Sequence, residues 1–270
     1  MNEPELQREM SIRLRERGCE CEVSYKLATG STNADAKAYV RQSAHPRSKL
    51  FAAATQTHGR GRKGNEWQSA DGGVYASLVL PCDERMLRSI TLAAAATGVC
   101  VNRVLRTYSP SCCIKWPNDI LCGGKKLCGI MCEVASSAAG RYCLIIGFGV
   151  NANNSAFSGE LSSTAVSLGM LTGCSIDTLQ LTADIACELL NTMTLEQLTS
   201  GELMDEYARA SCLPGARVCI SCIDSSAEGE VLGFDELGRI ILDTANGVRC
   251  FDYGELSLRT CEHGAPSKAD

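Results

Sequence analysis

The sequence lacks any long hydrophobic run. Nothing in its 270 residues approaches the roughly 18 consecutive apolar residues needed to cross a bilayer. The opening stretch, 1–17, is charged throughout and has no apolar segment of the kind that directs secretion. No membrane partner is expected, and the expected location is the cytoplasm. Aromatic residues are scarce at 5%, so the core must be built from aliphatic side chains, Ala and Cys. The 3 histidines are too few and too scattered to complete a metal site. A basic surplus is missing too: 26 Lys and Arg face 31 Asp and Glu, for a net charge of −5. That balance argues against the basic surface that nucleic acid selects, and no nucleic-acid partner is expected.

Cysteine, by contrast, is abundant. The 17 cysteines run from Cys19 to Cys261 with an odd count and no spacing framework, which favours reduced thiols over a disulfide scaffold. Cys219 and Cys222 form one C-x-x-C, but a zinc site wants four suitably spaced ligands and no second pair answers it. The chain is long enough for one sizeable core and a smaller appended domain.

Within this acidic molecule lies a cationic island, Gly59-Arg60-Gly61-Arg62-Lys63-Gly64. Glycine lets the backbone approach a ligand closely, and the cations around it suit a small anion such as phosphate. The letters also fit the dinucleotide fingerprint G-x-G-x-x-G. The context does not, because residues 65–73 fail to open a helix and the intervening residues are cationic.

Around this loop the pattern reads as α+β. A polar helix is expected over 3–17 and a half-buried strand over Cys19–Leu27, then a helix capped by Thr32 or Asn33 and running to Gln42. Leu50–Gln56 and Val74–Leu80 read as buried strands, and 84–106 as an Ala-rich helix. Cys113–Trp116, Ile120–Cys122, Lys126–Val134 and Tyr142–Ile146 read as strands, with Gly123-Gly124 and Ala139-Gly140 as hairpin turns. Gly147–Asn151 reads as the end of the last of these. Helical spacing resumes over Leu179–Leu198 and Glu202–Ala210. Strands in succession predict a mixed or antiparallel sheet flanked by helices. Pro214-Gly215 marks a boundary between domains 1–212 and 213–270. Short strand-like runs at 218–223, 229–234, 240–243 and 248–251 predict a small β-barrel in the second.

Several motifs follow one another in order: Gly30-Ser31-Thr32-Asn33, Gln56, the Gly59–Gly64 loop, Lys115-Trp116-Pro117-Asn118-Asp119, Gly124-Lys125-Lys126-Leu127-Cys128-Gly129-Ile130 and Gly147-Phe148-Gly149-Val150-Asn151. In this order they resemble the biotin–protein ligase family, strongly over 27–168 and more weakly over Leu213–Arg259. The resemblance implies a class II synthetase-like catalytic domain followed by a small SH3-like barrel. It implies a two-step reaction, in which biotin and ATP give biotinyl-AMP and pyrophosphate before biotin passes to a lysine of a biotin carboxyl carrier domain of a carboxylase.

Carried over position by position, the resemblance assigns biotin to Ser31, Thr32, Asn33, Gln56, Gly59, Arg60, Gly61, Arg62 and Lys115. It assigns ATP to Arg62, Lys63, Trp67, Asn118 and Asn151, and gives Lys115 and Arg60 catalytic roles. Trp67 would stack on adenine or the acyl chain, or simply pack in the core. Asn118 or Asp119 would help hold Mg²⁺, although a turn after Pro117 explains both without a metal. Asn151 would reach the nucleotide or merely end its strand. The glycine loop would close over the adenylate. His58, Asn65, Glu66 and Ala70 depart from the family's pattern and leave the nucleotide affinity open. The stretch 1–18 has no room for the DNA-binding domain some relatives carry, so a ligase without operator binding is expected. The alternatives are a lipoate–protein ligase and a non-catalytic biotin-binding protein.

Overall fold

A computed structural model describes residues 1–84, 86, 90–221, 226–252 and 257–260. Its larger part is a seven-stranded sheet in the order β1-β2-β3-β7-β6-β5-β4. The strands are β1 (Glu22–Thr29), β2 (Lys49–Gln56), β3 (Val74–Cys82), β4 (Cys112–Lys115), β5 (Asp119–Cys122), β6 (Lys125–Ser136) and β7 (Tyr142–Val150). Only β1 and β2 run parallel, because helix α2 (Thr32–Gln42) carries the chain between them. Every other neighbouring pair is antiparallel. The sheet is therefore mixed, as expected.

The hydrophobic pattern shows why this sheet is covered on both faces. In β7, Leu144, Ile146, Phe148 and Val150 join the main core, while Cys143 and Ile145 join a smaller cluster with Ala36 and Val40 of α2. Both parities are apolar there, the signature of a strand buried on two sides. Full burial of Leu144 or Ile145 contributes about 2 kcal/mol each. The main core is completed by α1 (Glu3–Glu16), α3 (Ile90–Tyr108), α6 (Thr178–Thr192) and α8 (Glu202–Ala210). Small residues compensate for scarce aromatics: Ala93, Ala95 and Ala96 of α3 are buried, and Gly98 packs beside the Tyr207 ring of α8.

Local rules set the element ends. Asn2 and Glu5 form a reciprocal capping box that starts α1, with Pro4 in its first turn. The helix read over 84–106 extends to Tyr108, and its start lies partly outside the described residues. The helical run read over Leu179–Leu198 is broken. Thr194 accepts a hydrogen bond from the Gln197 amide and so caps a separate short helix, α7 (Leu195–Thr199). A Thr side chain competing for backbone donors outweighed apolar spacing. Two further short helices, α4 (Leu161–Thr164) and α5 (Leu168–Thr172), fill a stretch that carried no expectation.

The C-terminal part is a five-stranded antiparallel sheet in the order β11-β10-β9-β8-β12. It comprises β8 (Arg217–Ser221), β9 (Ser226–Phe234), β10 (Ile240–Thr244), β11 (Gly247–Phe251) and β12 (Ser257–Thr260). Among the described residues β11 and β12 occupy opposite edges, so the sheet is small and antiparallel but not closed into the expected barrel. Cys219 is half-buried on β8, and its C-x-x-C partner Cys222 lies outside the described residues. The larger and C-terminal parts touch where the Trp116 indole N–H donates to the Gly238 carbonyl at 3.1 Å and where Tyr207 of α8 meets Phe234 of β9 edge-on at 4.9 Å. No described helix is long and apolar enough to cross a membrane.

Candidate functional site

The site lies on the α2 face of the large sheet, beyond the helix's N-terminus. The chain leaves β1 at Thr29, turns at Gly30 and enters α2 with Ser31 at the cap position. The cap is therefore Ser31 and not Thr32 or Asn33, and its side chain makes no cap bond. Thr32 and Asn33 are instead drawn sideways into a buried network. Ser77 Oγ on β3, wholly buried, lies 2.7 Å from Thr32 Oγ1 and 2.5 Å from Asn33 Oδ1. An amide oxygen only accepts, so Ser77 donates to Asn33 and the Thr32 hydroxyl is left to donate to Ser77 or to Gln56. Gln56 Oε1 accepts from the Thr32 backbone amide at 2.9 Å, and its Nε2 donates to Ser69 Oγ at 2.8 Å. Asn33 Nδ2 donates to Glu133 at 3.0 Å, and Glu133 is held in turn by Lys37.

Glycines in the sheet make room for this arrangement. A Cβ on Gly147 would fall 2.2 Å from Asn33 Oδ1. Cβ atoms on Gly149 and Gly129 would fall 2.6 Å and 2.8 Å from the Trp67 indole. These positions lie within β6 and β7, and β7 runs through Gly147 and Gly149 to Val150, within the Gly147–Asn151 end read from sequence. The glycines are a floor on which Asn33 and Trp67 lie.

The cationic loop is more folded than its composition suggests. Gly61 N–H donates to the Asn65 carbonyl at 2.7 Å and Trp67 N–H to the Gly59 carbonyl at 2.9 Å. Arg60 and Glu66 are bridged, and Arg62–Gly64 makes one turn of 3₁₀ helix ended by Gly64 at φ 79°. No α-helix follows, which removes the dinucleotide fingerprint. Several backbone donors are thus spent inside the loop, and the loop presents side chains to the cavity. Arg60, Gly61 and Arg62 line it, and Arg62 donates to Asn118 Oδ1 at 3.2 Å. Gly59 does not line it: its missing Cβ would sit 2.3 Å from the Trp67 carbonyl, so this glycine serves the chain's return. The side chain of Lys63 lies outside what the structure describes.

Two cavities of about 320 Å³ each flank Trp67. One reaches Ser31, Thr32, Asn33 and Gln56; the other reaches Phe157, Leu161 and Ala165. Their shared wall consists of Glu66, Trp67, Lys115, Asp119 and Lys126. Lys115 stands at the end of β4 and forms no ion pair or hydrogen bond through its ammonium among the described residues. Lys126 bonds Asp119 at 2.8 Å and lies 5.3 Å from the Trp67 ring centroid. Around the first cavity Arg60, Arg62, Lys115 and Lys126 outnumber Glu66 and Asp119, so the wall is cationic inside an acidic molecule. The Trp67 indole N–H is buried there without a partner among the described residues.

Two expectations look different in place. Asn151 borders the second cavity, but its Nδ2 already donates to the Lys126 and Val166 carbonyls at 3.2 and 3.1 Å. Asn118 Nδ2 donates to the Ile130 carbonyl at 2.9 Å while its oxygen accepts from Arg62. With Asp119 paired to Lys126, the Asn118–Asp119 turn does not form a metal cage, and no cluster of acidic, His or Cys ligands occurs among the described residues. Ser77, Ser69, Glu133 and Lys126 were not assigned from sequence. The signal was present in Ser77 and Glu133, polar residues inside otherwise apolar strands.

Residues 27–151 match the biotin/lipoate A/B protein ligase family. The chain is 30% identical over 221 residues to the bifunctional ligase/repressor BirA of Bacillus spizizenii, covering 79% of this chain and 67% of that relative. It is 28% identical over 240 residues to the biotin–[acetyl-CoA-carboxylase] ligase of Mycobacterium tuberculosis, covering 84% and 85%. The fold is that of the biotin protein ligase of Aquifex aeolicus in complex with biotin and ATP, with a TM-score of 0.78 and 23% identity over 88% of this chain and 99% of the other. The chain belongs to the biotin/lipoate A/B protein ligase family, among its biotin–protein ligases.

Proposed function

We propose that this chain activates biotin with ATP to biotinyl-AMP and transfers the biotinyl group to a lysine of a biotin carboxyl carrier domain. The observation that carries the reading is the meeting of two cavities at Lys115, one rimmed by fixed hydrogen-bonding groups and the other more apolar. A neutral ureido ring needs both donors and acceptors, which Ser31, Thr32, Asn33 and Gln56 supply. The adenine ring is given the second cavity, against Trp67 and Phe157. Biotin's carboxylate and the α-phosphate then meet at Lys115.

The carboxylate oxygen attacks the α-phosphorus, the bond to the bridging oxygen breaks, and pyrophosphate leaves with the electron pair. Negative charge gathers between the two substrates as this happens. Lys115, whose ammonium is not committed elsewhere among the described residues, and Arg60 and Arg62 of the loop stabilise that charge. The second step places an uncharged lysine amine on the acyl carbon, and AMP departs. Loop 59–66 covers the mixed anhydride and excludes water between the steps. Lys63 is assigned to the phosphates with Arg62, Asn118 is assigned to orient Arg62, and Asn151 is assigned to hold the wall of the nucleotide cavity. Magnesium arrives as part of the MgATP substrate, coordinated by phosphate and water.

Residues 1–212 are assigned as the catalytic unit and 213–270 as the C-terminal unit. A cytoplasmic location is supported by free thiols at all the described cysteines. The reading includes no nucleic-acid partner, supported by the net charge of −5. Incubation with labelled biotin, ATP and a carrier domain tests the whole reaction. Label should enter the carrier as an amide that survives hydroxylamine, and a carrier whose lysine is changed to Arg should take none. Label retained only by the ligase would contradict transfer.

A further inference from the structure

β4 is the last strand of the large sheet, and its free side receives the chain leaving α8. Ile114 and Ser211 form a parallel bridge there, and the Cys212 amide donates to the Ile114 carbonyl at 3.0 Å. Alternate residues of β4 share a face. Cys112 and Ile114 are buried in the core, whereas Cys113 and Lys115 are half-buried on the face that carries the site. Cys212 is exposed beside that face, with its sulfur 3.4 Å from the Ile114 carbonyl. Across this edge the Cys113 thiol is a neighbour of the Cys212 thiol, and Lys115 is the nearby cation. Cys113 first, and Lys115 with it, pull the Cys212 thiol down to about 7 against the effect of burial, while Cys212 and burial push Cys113 upward. Elsewhere burial has the opposite effect, raising Cys100 and Cys112 to about 12.

We propose that Cys113 and Cys212 form a peroxide-responsive dithiol that closes reversibly to a disulfide at the flank of the site and slows the ligase when closed. The Cys212 thiolate attacks one oxygen of hydrogen peroxide, the O–O bond breaks, and the departing hydroxide takes up a proton to leave as water. The Cys113 sulfur then attacks the sulfenic sulfur of Cys212. The S–O bond breaks as the S–S bond forms, and the second hydroxide leaves as water with the proton Cys113 gives up. Two electrons pass from the thiols to the peroxide. Closure joins the two sulfurs at about 2 Å. It pulls the 211–212 segment against an edge strand and removes the anion beside Lys115. The thiol chemistry is independent of the ligase reading, and its consequence for activity rests on that reading.

The test uses the full chain, reduced, desalted and exposed to hydrogen peroxide, then alkylated with N-ethylmaleimide and mapped by mass spectrometry without reduction. A linked pair of peptides containing Cys113 and Cys212 is expected before any other pair appears, and dithiothreitol should abolish it. In Cys113→Ser, Cys212 should instead be trapped by dimedone as a sulfenic acid. Biotin-dependent pyrophosphate exchange should fall several-fold on oxidation and return with dithiothreitol in the parent, and should be spared in Cys113→Ser. Separate alkylation of both cysteines after peroxide, or a linked pair with unchanged exchange, would overturn the proposal. A reduced chain without any exchange would contradict the ligase reading, and the peptide map would still decide whether the dithiol closes.

Discussion

The two cavities beside Trp67 are about equal in volume and differ in how they are built. The one at the head of α2 is rimmed by groups already bonded to one another: Thr32, Ser77, Asn33 and Gln56 are fixed before any ligand arrives. The one toward Phe157 and Leu161 has a more apolar lining, and the Asn151 amide N–H groups beside it are already spent on the fold. A small ring of fixed shape is best met by donors and acceptors that do not move, since ordering them on binding would cost affinity. A nucleotide brings its own charge and can be met by cations and by a planar ring. The shared wall is where the two strategies join, and Lys115 stands in it.

The largest expected effect comes from removing what the cavities share. Lys115→Ala should lower biotin-dependent pyrophosphate exchange roughly 100-fold or more, the scale of losing one preorganised group that stabilises developing charge. Its melting temperature should stay near the parent's, because Lys115 has no ion pair to lose among the described residues. A loss confined to the KM for either substrate would show that Lys115 serves one cavity only.

Breaking one cavity should spare the other. Ser77→Ala leaves the Asn33 oxygen without its buried donor, which costs about 1–3 kcal/mol. The KM for biotin should rise about tenfold, equivalent to about 1.4 kcal/mol, with little change in the KM for ATP. Steady-state kinetics with each substrate varied in turn would show it, and equal changes in both would mean that Ser77 supports the fold alone. On the other side, Phe157→Ala should raise the KM for ATP roughly fivefold, about 1 kcal/mol of lost apolar contact. Biotin binding should be unaffected.

The smallest effect is a rate of labelling. Cys212 faces Cys113 and Lys115 of β4, and its thiol is held down to about 7. The thiolate is the reactive form, so iodoacetamide labelling of Cys212 should rise as pH increases through about 7. Cys100, pushed up to about 12 by burial, should stay unlabelled over the same range. Labelling of Cys212 that begins only above pH 9 would contradict the influence assigned to Cys113 and Lys115.

Much of this comparison was legible before the fold was known. The order of motifs identified the family, and β2, β3 and the Gly123-Gly124 hairpin followed from apolar runs and turn chemistry. What was lost is what depends on a neighbour. Ser31 and not Thr32 caps α2, because the choice is made by Ser77 and Gln56 reaching across from β3 and β2. Gly59, read as a ligand contact, also makes room for the Trp67 carbonyl, and Gly147 and Gly149, near the end of their strand, are in addition the floor of the site. The 153–165 stretch has no periodicity, so the wall it gives the second cavity was invisible. Cys113 and Cys212 meet only because the chain returns along an edge strand.

The most direct test is pyrophosphate exchange into ATP by the reduced chain, measured with biotin, with lipoate and with neither. The account predicts exchange with biotin alone, lost in Lys115→Ala while the variant still binds biotin. Exchange with lipoate, or biotin binding with no exchange in the parent, would contradict the claim that the two cavities bring a biotin carboxylate and an α-phosphate together at Lys115.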